Sequence, residues 1–162
     1  MARSIYRTLH PDMYHGNRIL PPFFEGWYYK LVSAAEKRRY AIIPGVILGE
    51  NAHAFVQVLN GTDGRSAYHR FPVEDFWASE RDFEVHIGSN HFRADRLSLN
   101  LDGELGRIRG SLRFSDLSPW PVRPWSPGIM GPYAWAPFLE TYHGVVSLDH
   151  KIHGALEMEG RQ

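Results

Sequence analysis

Five aromatic residues fill the seven positions from Phe23 to Tyr29, and a single carboxylate, Glu25, sits among them in "PPFFEGWYYKL". Rings around a carboxyl strip it of water, and a desolvated carboxyl holds its proton more tightly and can deliver it as a general acid. A second stretch, "SPGIMGPYAWAPFLETYHGVV" from Ser126 to Val146, places Glu140 and His143 three residues apart among further rings. That spacing suits an acid and a partner that sets its protonation. Each feature also has a plain structural reading. Glu25 could open a strand, facing water or an arginine, while Phe24, Trp27 and Tyr29 pack the core. Glu140 and His143 could tie a loop to the rim of the fold.

Other chemistries find little support. The chain has no cysteine, so disulfide scaffolds, thiolate zinc sites and cysteine nucleophiles are excluded. His143, His150 and His153, with Asp149 beside them, read H-x6-H-x2-H, which matches no short zinc motif, and no metal is expected. No glycine-rich phosphate loop, dinucleotide fingerprint or G-x-S-x-G elbow occurs, so no cofactor is expected either. A formal net charge of zero and a pI near 7.1 give no general attraction to nucleic acid. The longest apolar run, "YAIIPGVIL", is far below the ~20 residues a membrane helix needs, and the N-terminus lacks a signal-type apolar core. These features predict a soluble, cytoplasmic protein.

The elements that must position these residues read as short strands. At 162 residues the chain fits one domain spanning 1–162. No stretch predicts a long helix. Branched and aromatic runs separated by turn signals predict strands at 26–33, 40–48, 53–60, 66–73, 82–88, 91–101 and 105–114. "NGTDG" after Asn60 and "LDGELG" after Asn100 are the strongest turn signals. Period-two alternation puts Leu97, Leu99 and Leu101 on one face, and Ile108, Leu112 and Phe114 on another. Pro44-Gly45 inside the 40–48 run predicts a bent strand, at an edge or a bulge rather than in a sheet centre. Ser115 to Phe138 carries six of the eleven prolines and three of the five tryptophans, which predicts a long ordered loop. "YHGVVSLDHKIHGALEM" predicts a closing hairpin that turns at 149–151. The whole reads as an all-β antiparallel meander, closing into a barrel or forming one side of one. Such a barrel commonly holds one apolar ligand in its mouth.

"FFEGWYYKLV", "YAIIPGVILGE" with "HAFVQVLNG", and above all "SPGIMGPYAWAPFLETYHGVVSLDHKIHG" resemble the tocopherol cyclase family, in order, from about Met13 to Gly154. The resemblance implies a calycin-like, lipocalin-related barrel or half-barrel. It also implies cyclisation of a prenylated hydroquinone to a chromanol, in which an acid protonates a trisubstituted alkene and the phenol oxygen closes on the tertiary cation. Ring faces stabilise such a cation and a dry cavity protects it from water. On this reading Glu25, Glu140 and Asp149 are the candidate acids, with Glu140 preferred because His143 is near it in sequence. Trp27, Tyr28, Tyr133 and Trp135 are candidates for the cavity wall. The implied partner is a small hydrophobic or prenylated aromatic ligand, met at a membrane surface. The alternative is a lipocalin-like carrier without catalysis. The chain departs from the family at Pro132, where an aromatic is usual, and at Thr141, where a cysteine is. Members of the family also continue past the equivalent of Gln162 into a second β-rich half, so this chain resembles an N-terminal portion. An unpaired strand edge that invites self-association is then expected.

Overall fold

The computed structural model describes residues 5–159 apart from Arg18, Leu105 and Glu140, with only the backbone of Glu159. A five-residue helix, α1 (Ile5–Leu9), leads into an irregular segment, and the regular structure that follows is almost entirely antiparallel β. The first sheet is built from β1 (Phe23–Gly26), β2 (Tyr29–Val32), β3 (Arg39–Leu48), β4 (His53–Asn60) and β5 (Ser66–Phe71). Its order is β1-β3-β4-β5, with β2 following β1 along the same edge of β3. The second sheet holds β6 (Phe76–Ala78), β7 (Glu84–Ile87), β8 (Asn90–Arg93), β9 (Arg96–Gly103) and β10 (Gly106–Ser115). The final strand, β13 (Lys151–Glu159), joins it on the far side of β10, giving the order β13-β10-β9-β8-β7-β6. The 91–101 run thus divides into two strands around Ala94-Asp95.

The expected alternation holds and makes the core. Leu97, Leu99 and Leu101 on β9 and Ile108, Leu112 and Phe114 on β10 are all buried. They meet Ile42, Val46, Val56 and Val58 from the first sheet in a single cluster. No ladder joins the two sheets among the described residues, so they face each other without closing into a barrel. β5 lies near β9 at one seam. At the other seam the edges β1–β2 and β13 stay apart, and the space between them is a cleft. No helix among the described residues is long and apolar enough to cross a membrane.

Two expectations are corrected. β3 is not an edge strand, because β4 flanks it on one side and β1–β2 on the other. Proline survives in this interior strand because the neighbouring strand is interrupted there. The Pro44 carbonyl accepts the Trp27 N–H at 2.9 Å, between the end of β1 and the start of β2, so the missing proline N–H falls where no ladder acceptor is needed. The hairpin turning at 149–151 does not form either. β13 pairs with β10, and residues 141–150 are irregular. Their position is fixed instead at the base of the loop, where Ser118 N–H donates to the Asp149 carbonyl at 3.0 Å and Leu148 N–H to the Ser118 carbonyl at 2.8 Å.

The proline-rich loop is ordered as expected. It contains a two-strand ribbon, β11 (Val122–Arg123) with β12 (Ser126–Pro127), and a 3₁₀ turn at Gly131–Trp135. It folds back onto the N-terminal segment, where a Cβ on Gly128 would lie 3.6 Å from Pro11, and in the segment that follows one on Gly144 would come within 2.7 Å of the same proline.

Gly45 makes room on the outer face of the first sheet. Phe55 lies over it, between Phe24 and Tyr68, with parallel rings 6.2 and 5.0 Å apart. A Cβ at Gly45 would sit 2.4 Å from the Phe55 ring and 2.8 Å from the Glu25 carbonyl. Gly45→Ala is therefore expected to cost about 1–3 kcal/mol in urea unfolding through overpacking. An unchanged midpoint would mean that Phe55 has room to swing away.

Candidate functional site

The cleft between β1–β2 and β13 measures ≈ 1860 Å³. One wall comes from the odd-numbered residues of the first edge, where Phe23, Glu25, Trp27, Tyr29 and Leu31 point inward and Phe24, Tyr28 and Lys30 are exposed. The opposite wall includes Leu112, Phe114, Ile152, Leu156 and Met158. The N-terminal segment closes one end beneath the proline-rich loop.

That segment is pinned from three directions. The Arg7 guanidinium donates to the carbonyls of His15 at 3.1 Å and Asn17 at 2.7 Å. Trp27 Nε1–H donates to the Asp12 carbonyl at 3.0 Å. Tyr14 packs edge-on against Phe76, with ring centroids 5.2 Å apart. The pinned segment carries His15 to Glu25. Glu25 Oε2 accepts the backbone N–H of His15 at 2.7 Å, and Oε1 lies 2.7 Å from His15 Nδ1. The two side chains are only 9% and 17% exposed.

The third contact of the histidine fixes where protons sit. His15 Nε2 lies 3.1 Å from the Arg7 carbonyl, which can only accept, so Nε2 carries a hydrogen. The remaining contact, Nδ1 to Oε1, then holds one proton. It belongs either to a protonated Glu25 donating to a neutral imidazole or to an imidazolium donating to a carboxylate. Such a pair can hand a proton to a ligand and take one back without water.

A chain of rings starts at Tyr14, behind this pair, and continues along the wall. Tyr14, Trp27, Phe83, Tyr29, Phe114 and His150 follow one another with centroid spacings of 6.3, 5.5, 6.1, 5.7 and 4.9 Å. Burial, the charge of Glu25 and, in opposition, the Arg7 guanidinium set the Tyr14 phenol, pushed up to about 12. Burial and then Asp95 hold the Tyr29 phenol well above the ordinary range, and its hydroxyl donates to the Arg93 carbonyl at 2.7 Å. Both phenols stay neutral in the native protein when they would ionise near 10 in the unfolded chain. The stability they contribute is whole below pH 10 and is lost at higher pH, that of Tyr14 as pH rises toward 12. Alkaline titration followed by phenolate absorbance should show Tyr14 and Tyr29, and also Tyr68, whose phenol burial raises as well, ionising later than the other tyrosines, together with loss of native circular dichroism. Eight independent titrations near pH 10 would contradict this.

Not all the expected site residues assemble here. Glu25 and Trp27 do. Tyr28 reaches the cleft only at its rim, since its side chain is on the opposite face and 65% exposed. His143 and Asp149 line the mouth, exposed, and neither touches Glu25. His143 is held by its backbone N–H on Met130 Sδ at 3.3 Å. Glu140 lies outside the described residues. Tyr133 and Trp135 are not in the wall. Tyr133 is 73% exposed, and Trp135 Nε1–H turns to the Pro124 carbonyl at 2.8 Å within its own loop. The missed residue is His15, whose only sequence signal was its type.

His143, His150 and His153 do not converge. His150 packs edge-on to Phe114, and His153 Nε2 engages Ser115 Oγ at 3.0 Å on the other face of β13. No group of three or more metal-ligating side chains that could hold an ion occurs among the described residues. No family model, curated protein or solved structure matches the chain.

Proposed function

We propose that the protein is a tocopherol-cyclase-like intramolecular cyclase, acting on a prenylated hydroquinone, and that its two open sheets are a calycin-like half-barrel. The observation that carries this reading is the 2.7 Å contact between Glu25 Oε1 and His15 Nδ1 in the wall of an aromatic cleft. Glu25, the more accessible of the pair, gives its proton to the less substituted carbon of the alkene. A C–H bond forms and a tertiary cation remains on the adjacent carbon. The phenol oxygen attacks that cation, the C–O bond closes the ring, and the phenolic proton returns to the Glu25–His15 pair. Product and substrate are isomers, so the cycle needs no oxidant, reductant or cofactor. Trp27 and its neighbouring rings stabilise the cation and exclude water.

Exposed Trp125 and Phe138, 68% and 81% accessible, give the loop beside the cleft apolar tips suited to collecting such a ligand at a lipid surface. The test is incubation with prenylated hydroquinones of several chain lengths under reducing conditions. Release of a chromanol supports the cyclase. Saturable binding with no product from any of them favours the carrier reading.

A further inference from the structure

β13 is the outermost strand of its sheet and pairs only with β10, so along its other edge the backbone N–H and C=O groups have no ladder partner among the described residues. Free edges of this length are usually blunted by proline, a bulge or an inward charge. β13 has no proline and no inward charge, its inward-facing residues being Ile152, Gly154, Leu156 and Met158; its ladder with β10 runs unbroken through the positive φ of Gly154, and its outward charges, Lys151 and Glu157, are of opposite sign.

We propose that the occupant of this edge is β13 of a second copy, paired antiparallel about a two-fold axis through Ala155. In that register partner positions add to a constant, and the strand is complementary to itself. Ile152 lies opposite Met158 and Gly154 opposite Leu156 on the inner face. His153 lies opposite Glu157 on the outer face, and Lys151 opposite position 159, also a glutamate. Every pair occurs twice across the axis. His153 uses only Nε2 in its bond to Ser115, which leaves Nδ1 for the partner's carboxylate. The ladder joins the second sheets of the two copies into one, and the strand forming one wall of each cleft becomes interior. This interface does not depend on the proposed chemistry.

The axis makes a sharp test, because the chain contains no cysteine. Wild-type protein should be a dimer by light scattering. Ala155→Cys changes an exposed residue that would face its own counterpart, within the span a disulfide bridges. Mild oxidation should convert it to covalent dimer. Lys151→Cys should not link to itself, since the two copies would lie about 27 Å apart. Glu157→Lys should weaken the dimer by about tenfold, because the carboxylate that each His153 Nδ1 would meet is lost twice across the axis. His153→Glu with Glu157→Lys, which swaps the charges, should restore it. A monomer at all concentrations overturns the proposal. So does a dimer in which Ala155→Cys stays reduced, or one in which Lys151→Cys links to itself.

Discussion

Glu25→Gln should lower turnover by about 10²–10⁴-fold, the range for loss of a general acid, while leaving the fold and ligand affinity almost unchanged. The glutamine is well matched to the site. Its carbonyl oxygen can accept the His15 backbone N–H that Oε2 accepts now, and its amide can donate to His15 Nδ1, the acceptor left when Nε2 bonds to the Arg7 carbonyl. Both hydrogen bonds survive and only the transferable proton is lost. Tyr14 supplies an internal check, because removing the Glu25 charge should lower its phenol from about 12. Full activity in a folded Glu25→Gln protein, confirmed by that shift, would remove Glu25 from the chemistry. Loss of ligand binding in parallel with turnover would make the residue a binding group.

The largest structural effect is expected at Trp27. Its side chain is buried, stacks on Phe83 at 5.5 Å and ties down the Asp12 carbonyl. Trp27→Ala should cost about 3–5 kcal/mol, lowering Tm by roughly 6–20 °C for a domain of this size. Trp27→Phe separates two contributions. It keeps a ring against Phe83 but deletes the bond to Asp12, so it should cost about 1 kcal/mol and loosen the segment that carries His15. The His15 amide, held by Glu25, should then exchange its hydrogen faster while amides of β4 are unaffected. Unchanged protection of that amide would mean that Arg7 and Tyr14 hold the segment unaided.

The strands were legible because their cause is local. Alternation in "RLSLNL" and "RIRGSLRF" reports directly which side chains meet a core, and those side chains are buried. The proline-rich loop was equally plain, since proline forbids the alternatives. What failed was long-range. The place of Pro44 inside a sheet depends on an interruption in a different strand, at Trp27, that no feature near Pro44 reports. The pairing of β13 with β10 skips 35 residues of loop that look capable of their own hairpin. Half of the site was visible in Glu25, since a carboxylate among rings demands an explanation. Its partner was not. His15 belongs to a segment without regular structure, brought over β1 by an arginine and a tryptophan, and the nearer pairing in sequence, Glu140 with His143, was the more conspicuous one.

The interrupted edge strand preserves sidedness across its break. From Phe23 to Leu31 every odd residue faces the cleft, although two positions between β1 and β2 lie outside the ladder. One residue inserted or deleted within that stretch would reverse everything beyond it, turning Tyr28 and Lys30 inward and Trp27 or Tyr29 out. A two-residue change would keep the faces but slide the register. The turns at 34–38 and 61–65 carry no such constraint. Length variation among functional versions of this chain should therefore collect in those turns and be absent from the nine residues around Glu25, whatever substitutions those nine accept.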